Sequence, residues 1–105
     1  MRILFDQGVT VPLRRAFSAH SVSTAYELGW AELTNGALLT RAEAEFDVLI
    51  TTDQGLRFQQ NLAGLRLAMI VLPTTDWSAI QEHQETIAAA VAGARPGEVL
   101  TLGWR

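Results

Sequence analysis

The stretch DVLITTD, residues 47–53, indicates the fold class of this chain. Three branched apolar residues stand in a row before the threonines, without the alternation of a strand that faces water on one side. Such a run is typical of a strand buried on both faces of a parallel sheet. Two similar runs, Ile3–Phe5 and Leu67–Leu72, lie before and after it in the chain.

Helical patterns separate these strands. Val11–Phe17 and Gly36–Glu45 predict two helices, and Trp77–Val91 repeats apolar residues every three or four positions. Ser21–Ala25 is a weaker strand candidate, and Glu98–Trp104 alternates apolar residues, as an edge strand or an arm for a partner would. This order predicts right-handed crossovers and a three-layer α/β/α sandwich with a mostly parallel sheet of four or five strands.

Composition limits the class of protein. The chain has 105 residues, of which 49% are apolar and 18% charged, so we expect one folded domain over residues 1–105. No apolar run approaches the ~20 residues that cross a bilayer, and the start lacks a signal peptide's cleavage region. The absence of cysteine excludes disulfides, thiolate zinc sites and cysteine nucleophiles. We therefore expect a cytoplasmic protein without a membrane partner.

The basic residues are all arginine, eight in number, and the chain has no lysine. This excludes a P-loop, which places a lysine on the phosphates, and it disfavours a phospho-receiver domain, which normally carries a lysine near its acidic pocket. The net charge of −3 argues against a general polyanion binder, although a local arginine patch stays open.

Two predicted strands end in aspartate, at Asp6 and at Asp53. If these strands are neighbours, both carboxylates face one crevice beyond the carboxyl ends of the sheet, where ligands of open α/β sheets bind. Hard oxygen ligands without nearby histidine or cysteine suit Mg²⁺ or Mn²⁺. The alternative is that each aspartate forms an Asx-turn and has no ligand.

Several motifs resemble those of a known family. The start Met1–Asp6, the helix opening Asn35–Leu39, the segment Asp47–Asp53, and Gln59–Leu62 with the strand into Pro73 are similar to the compact PIN-like domains. These are reduced relatives of the PIN-domain nucleases that include VapC-type toxins, and the resemblance covers nearly the whole chain. It implies a metal-dependent ribonuclease in which three or four acidic residues hold Mg²⁺ or Mn²⁺ and an activated water attacks a phosphodiester.

The resemblance assigns roles residue by residue. Asp6 matches the acid after the first strand, and Asp53 matches the acid of the Thr-x-Asp motif. Asn35 stands where a second acid normally opens a helix; it keeps an oxygen ligand without the charge, and it also suits the N-cap of that helix. Gly8 replaces a frequent asparagine, and Gln54–Leu56 replaces an acid followed by an aromatic. We therefore expect weak metal binding and slow nuclease activity or none.

Other residues are candidates for binding substrate. Arg57, Gln59 and Asn61 follow Asp53 closely and could bind phosphate, sugar or base, although a polar helix face explains the two amides equally well. Glu32 could replace the missing acid, or it is a solvated loop residue. Trp30 could stack on a base, or it covers the core.

Two functions from different classes remain. The leading interpretation is a PIN-like, Mg²⁺- or Mn²⁺-dependent endoribonuclease of toxin–antitoxin type, with RNA as substrate and a degenerate acidic site. The alternative is a non-catalytic PIN-like module that binds a cognate antitoxin-like protein or forms a homodimer. The apolar tail and the missing third acid favour the alternative.

Overall fold

The computed structural model describes residues 1–55 and 66–104 of the chain. The candidate residues Arg57, Gln59 and Asn61, and the turn of helix expected over Arg57–Leu62, lie outside the described residues. The described strands are β1 (Arg2–Phe5), β2 (Ser21–Thr24), β3 (Val48–Thr51), β4 (Ala68–Val71) and β5 (Val99–Thr101). The helices are a 3-10 helix (Val11–Phe17), α1 (Asn35–Glu45), α2 (Trp77–Glu82) and α3 (Gln84–Gly93).

The five strands form one sheet in the order β2-β1-β3-β4-β5, and every neighbouring pair is parallel. The prediction of an α/β fold with a parallel sheet is confirmed. β2 lies on one side of β1, and β3 lies on its other side. The strand order therefore reverses between β1 and β3, and this is the topological switch point at which open α/β sheets bind ligands.

Apolar side chains cover both faces of the sheet, as buried parallel strands require. On the first face, Ile3, Phe5 and Ile50 pack against the 3-10 helix, α2 and α3. On the second face, Leu4 and Leu49 pack against α1. The helices thus lie on both sides of the sheet, and the three-layer arrangement is confirmed.

Two of the described connections differ in hand. The 3-10 helix joins β1 to β2, and α2 with α3 joins β4 to β5, yet both pack on the first face while running in opposite directions along the strand order. Their hands are therefore opposite. The expectation of right-handed crossovers throughout is wrong, because connections that run in opposite directions on one face cannot both be right-handed.

The short helix predicted over Val11–Phe17 is present with those bounds, as a 3-10 helix. Two other helices depart from the sequence prediction. Asn35 is the first residue of α1 and not its N-cap, because the hydroxyl of Thr34 accepts the hydrogen bond from the Ala37 N–H at 3.2 Å. The helix expected after Pro73 is interrupted at His83, whose φ of −114° and ψ of 21° separate α2 from α3.

The tail is an edge strand that belongs to the core. β5 pairs with β4, and Leu100, Leu102 and Trp104 pack against the cluster on the first face. Trp104 also stacks on the ring of His83, with the centroids 4.4 Å apart. Of the two alternatives for the tail, the edge strand is confirmed. In the two described stretches of chain, no helix is long and apolar enough to cross a bilayer.

Candidate functional site

Asp6 lies directly after β1 at the switch point and is held by the neighbouring strand. Its backbone N–H donates to the Ile50 carbonyl at 2.9 Å, which continues the pairing of β1 with β3. The hydroxyl of Thr51 donates to Oδ2 of Asp6 at 2.7 Å, and the Gln7 N–H donates to Oδ1 at 2.8 Å. The half-buried carboxylate is therefore fixed in orientation, and each oxygen keeps a free acceptor site.

Asp53 lies two residues after the end of β3. Its backbone N–H donates to the Thr51 hydroxyl at 3.1 Å, so one buried hydroxyl connects the Asp6 carboxylate to the backbone of Asp53. Its own Oδ1 accepts the Gly55 N–H at 2.9 Å, which is an Asx-turn. The Asx-turn is therefore present, and Asp53 is exposed to solvent.

The loops that carry the aspartates touch each other at Gly8. A Cβ placed on Gly8 would lie 2.2 Å from the Thr52 Oγ1, which is closer than real Cβ atoms approach. A side chain at position 8 therefore requires the Thr52 hydroxyl to move. The asparagine that the resemblance leads one to expect there would meet this hydroxyl.

The other predicted residues have mixed outcomes. Asn35 begins α1, and because α1 runs antiparallel to the strands, its first turn lies at the carboxyl edge of the sheet. Glu32 is exposed. Trp30 is 9% exposed and packs edge-on against Phe46 at 6.1 Å, so the prediction that it covers the core is confirmed.

The site is acidic, and its charges are uncompensated in the part of the chain that the structure describes. Neither Asp6 nor Asp53 forms an ion pair among residues 1–55 and 66–104. Over the same ranges, no group of three or more histidine or acidic side chains is arranged to hold a metal ion. Carboxylate and hydroxyl oxygens, the donor atoms present here, are the ligand type of a hard divalent ion such as Mg²⁺ or Mn²⁺, which keeps several waters.

A cavity of about 190 Å³ opens beside Asp6 at the carboxyl ends of β1 and β2. One wall is a turn after β2, in which the Thr24 N–H donates to Glu27 Oε1 at 2.9 Å and the Glu27 N–H donates to the Thr24 hydroxyl at 3.0 Å. Arg14 of the 3-10 helix pairs with the same Glu27 oxygen. The Arg14 hydrogen bond and then that of Thr24 lower the pKa of Glu27 below its ordinary value.

A larger cavity, of about 310 Å³, lies at the opposite end of the strands. It is bordered by Asp47, Arg66 and Arg95. Asp47 accepts the Arg2 N–H at 2.8 Å, and the Arg66 guanidinium lies 3.6 Å from Glu43. Because the amino ends of the strands are not where ligands of this architecture bind, we assign this cavity a structural role.

Two residues of this region were not singled out by the sequence. The sequence identifies Thr51 only as the threonine of the Thr-x-Asp motif, without a role of its own. It is 0% exposed, and a polar residue at the end of a fully buried run is a signal that its hydroxyl has a hydrogen-bond partner. Glu27 forms a Thr-x-x-Glu pattern with Thr24, which is the sequence signature of a capping box. That pattern could have located the turn that borders the cavity.

Comparisons of the chain with family models, with curated proteins and with solved structures find no match.

Proposed function

We propose that this chain is a PIN-like, Mg²⁺- or Mn²⁺-dependent ribonuclease of toxin–antitoxin type, with a reduced acidic site. The observation that supports the proposal is the pair Asp6 and Asp53, joined through the Thr51 hydroxyl at the switch point of the sheet. The resemblance of the surrounding motifs contributes the substrate class, RNA. The proposal implies a cytoplasmic location and, as partners, a cognate antitoxin-like protein or a second copy of the chain in a homodimer.

The chemistry divides between the ion and the chain. A bound divalent ion would polarise the scissile phosphate and lower the pKa of its own water. Asp6 and Asp53 would hold that ion, and Asn35, at the first position of α1, is the neutral oxygen ligand that the resemblance assigns. Thr51 would fix the orientation of the Asp6 carboxylate. Two carboxylates balance the charge of one divalent ion, so we propose one bound metal rather than two. We also expect a low rate of cleavage.

The test is cleavage of single-stranded RNA by the purified chain with Mn²⁺. The proposal predicts slow cleavage that stops with chelator and falls at least about tenfold in Asp6→Asn and in Asp53→Asn. Asp47→Asn, at the amino edge of the sheet, is the matched control and should cleave at the wild-type rate. Activity that survives chelator, or that persists in both carboxyl-edge variants, would reject the proposal.

The second candidate is a non-catalytic PIN-like module that binds a partner protein. The specific observation in its favour is that the described residues bring only two carboxylates to the crevice, where the family has three or four acids. Wild-type protein that binds no Mn²⁺ and cleaves no RNA would favour this candidate. Cutting the tail after Gly97 does not test it cleanly, because that tail contains β5 and core contacts.

A further inference from the structure

The cavity beside Asp6 has the size for one small ring system. Its volume of about 190 Å³ is below the ~300 Å³ at which pockets for drug-sized ligands begin. A complete nucleotide would not fit inside it, whereas a single planar base would. Asp6 borders both the cavity and the proposed metal site, so an RNA strand bound at that site would pass the entrance of the cavity.

The cavity has an exposed aromatic wall. Tyr26 is 79% exposed and Val11 is 54% exposed, and they are two of the four exposed large apolar side chains in the described part of the chain. An exposed tyrosine ring offers a flat face on which any base can stack. It also carries little conformational entropy to lose when a ligand orders it.

The turn that carries Tyr26 is fixed before any ligand arrives. The reciprocal bonds between Thr24 and Glu27 close it, the Trp30 N–H donates to the Ala25 carbonyl at 2.8 Å, and Gly29 ends it with a φ of +75°. The backbone position from which Tyr26 extends is therefore fixed by these bonds.

The polar wall of the cavity selects among bases. Glu27 is ionised at neutral pH, the bond from Arg14 lowers its pKa further, and an ionised carboxylate only accepts hydrogen bonds. Over the described residues, the hydrogen bonds to Glu27 fall on Oε1, so Oε2 keeps its acceptor sites. A carboxylate accepts from the amino group of cytosine and repels the carbonyl oxygen that uracil has in its place.

We propose that this cavity binds one nucleobase of single-stranded RNA, stacked on Tyr26, and that Glu27 favours bases with an exocyclic amino group over uracil. The inference rests on the proposed function for its substrate class. It adds a site that holds the RNA beside the acidic crevice and gives the domain a base preference.

The test is fluorescence anisotropy with labelled hexacytidylate and hexauridylate at low salt, in EDTA so that no RNA is cleaved. Wild-type protein should bind hexacytidylate about fivefold more tightly than hexauridylate or better. Tyr26→Ala should weaken hexacytidylate binding by about fivefold or more, and Tyr26→Phe should bind like wild type. Leu28→Ala is the matched control, since Leu28 is 37% exposed on the same turn but does not line the cavity. Glu27→Gln should bring the two affinities together.

The outcomes separate this inference from the proposed function. Equal affinity of wild type for the two hexamers, or unchanged binding in Tyr26→Ala, overturns the base site even if RNA is cleaved with Mn²⁺. Binding that depends on Tyr26 and prefers cytosine supports the base site even if cleavage is absent. If Glu27→Gln does not fold, the wild-type preference and the Tyr26 variants still decide the result. Absence of any hexamer binding also overturns it.

Discussion

The two ends of the sheet treat their acidic residues differently. At the amino end, Asp47 accepts the Arg2 backbone N–H, and the nearby Glu43 faces the Arg66 guanidinium at 3.6 Å. At the carboxyl end, the Asp6 carboxylate and the Asp53 N–H share the Thr51 hydroxyl, and neither aspartate forms an ion pair within the described residues. An aspartate that shares a buried hydroxyl with the loop of a second aspartate differs from one that is held by a single backbone donor. We therefore propose the cation at the carboxyl end, with Asp47 as the comparison residue.

Removing the hydroxyl between the aspartates should have the largest effect on stability. Thr51→Val keeps the shape of the side chain but leaves the Asp6 carboxylate and the Asp53 N–H without their shared partner, and we expect a loss of ~1.5–3 kcal/mol in the free energy of unfolding. Urea unfolding measures it. Thr52→Val, the same change one residue later, should alter stability by less than ~0.5 kcal/mol. Equal losses in the two variants would contradict the role given to Thr51.

A side chain at Gly8 should separate the two loops of the site. Gly8→Ala brings a Cβ to within 2.2 Å of the Thr52 Oγ1, and overpacking of this kind costs ~1–3 kcal/mol. Because the clash is with one atom, Thr52→Ala in the same chain should restore most of the lost stability. A double-mutant cycle measured by urea unfolding tests the pair. Additive losses would show that Thr52 is not the cause.

Neutralising one carboxylate at each end should sharpen the contrast between the ends. Asp47→Asn weakens the hydrogen bond that Asp47 accepts from the Arg2 N–H and should lower the free energy of unfolding by up to ~1 kcal/mol. Asp53→Asn keeps the Asx-turn, which asparagine also forms, and removes repulsion from Asp6, so stability should stay within ~0.5 kcal/mol or rise slightly. Thermal unfolding at low salt compares them. A larger loss in Asp53→Asn than in Asp47→Asn would contradict the contrast.

The smallest effect should come from the wall of the cavity and should depend on pH. The pKa of Glu27 is lowered in the folded state, so its bond to Arg14 stabilises the protein fully above the ordinary glutamate pKa. That contribution is lost as the pH falls through the lowered folded value. Glu27→Gln should therefore lower the melting temperature at pH 7 and make no difference once both states are protonated. A difference that is constant across this range would contradict the assignment.

The parallel sheet was accessible from the sequence because fully buried strands carry unbroken apolar runs such as Val48–Ile50. Asp6 and Asp53 were accessible for a related reason, since Asp6 directly follows one such run and Asp53 follows another after two threonines. The opposite hands of the first and last connections were not accessible, because local patterns do not show on which face of the sheet a helix packs. The N-cap of α1 is Thr34, one position before Asn35, and cap preferences alone do not distinguish two neighbouring candidates.

The cavity beside Asp6 could not be foreseen from local patterns. It forms where the 3-10 helix meets the turn after β2, and its ion pair joins Arg14 to Glu27 across thirteen positions of chain. Their approach depends on the pairing of β1 with β2, which the alternation of Ser21–Ala25 suggested only weakly. Sites made by two connections depend on tertiary structure more than on spacing.

The central claim is that Asp6 and Asp53 form one site for a divalent cation, and calorimetric titration with Mn²⁺ tests it most directly. Wild-type protein should bind one Mn²⁺ with micromolar to millimolar affinity. Asp6→Asn and Asp53→Asn should each weaken binding at least about tenfold, while Asp47→Asn binds like wild type. Wild-type protein that binds no Mn²⁺, or binding that Asp47→Asn weakens as much as the other two variants do, would contradict the account.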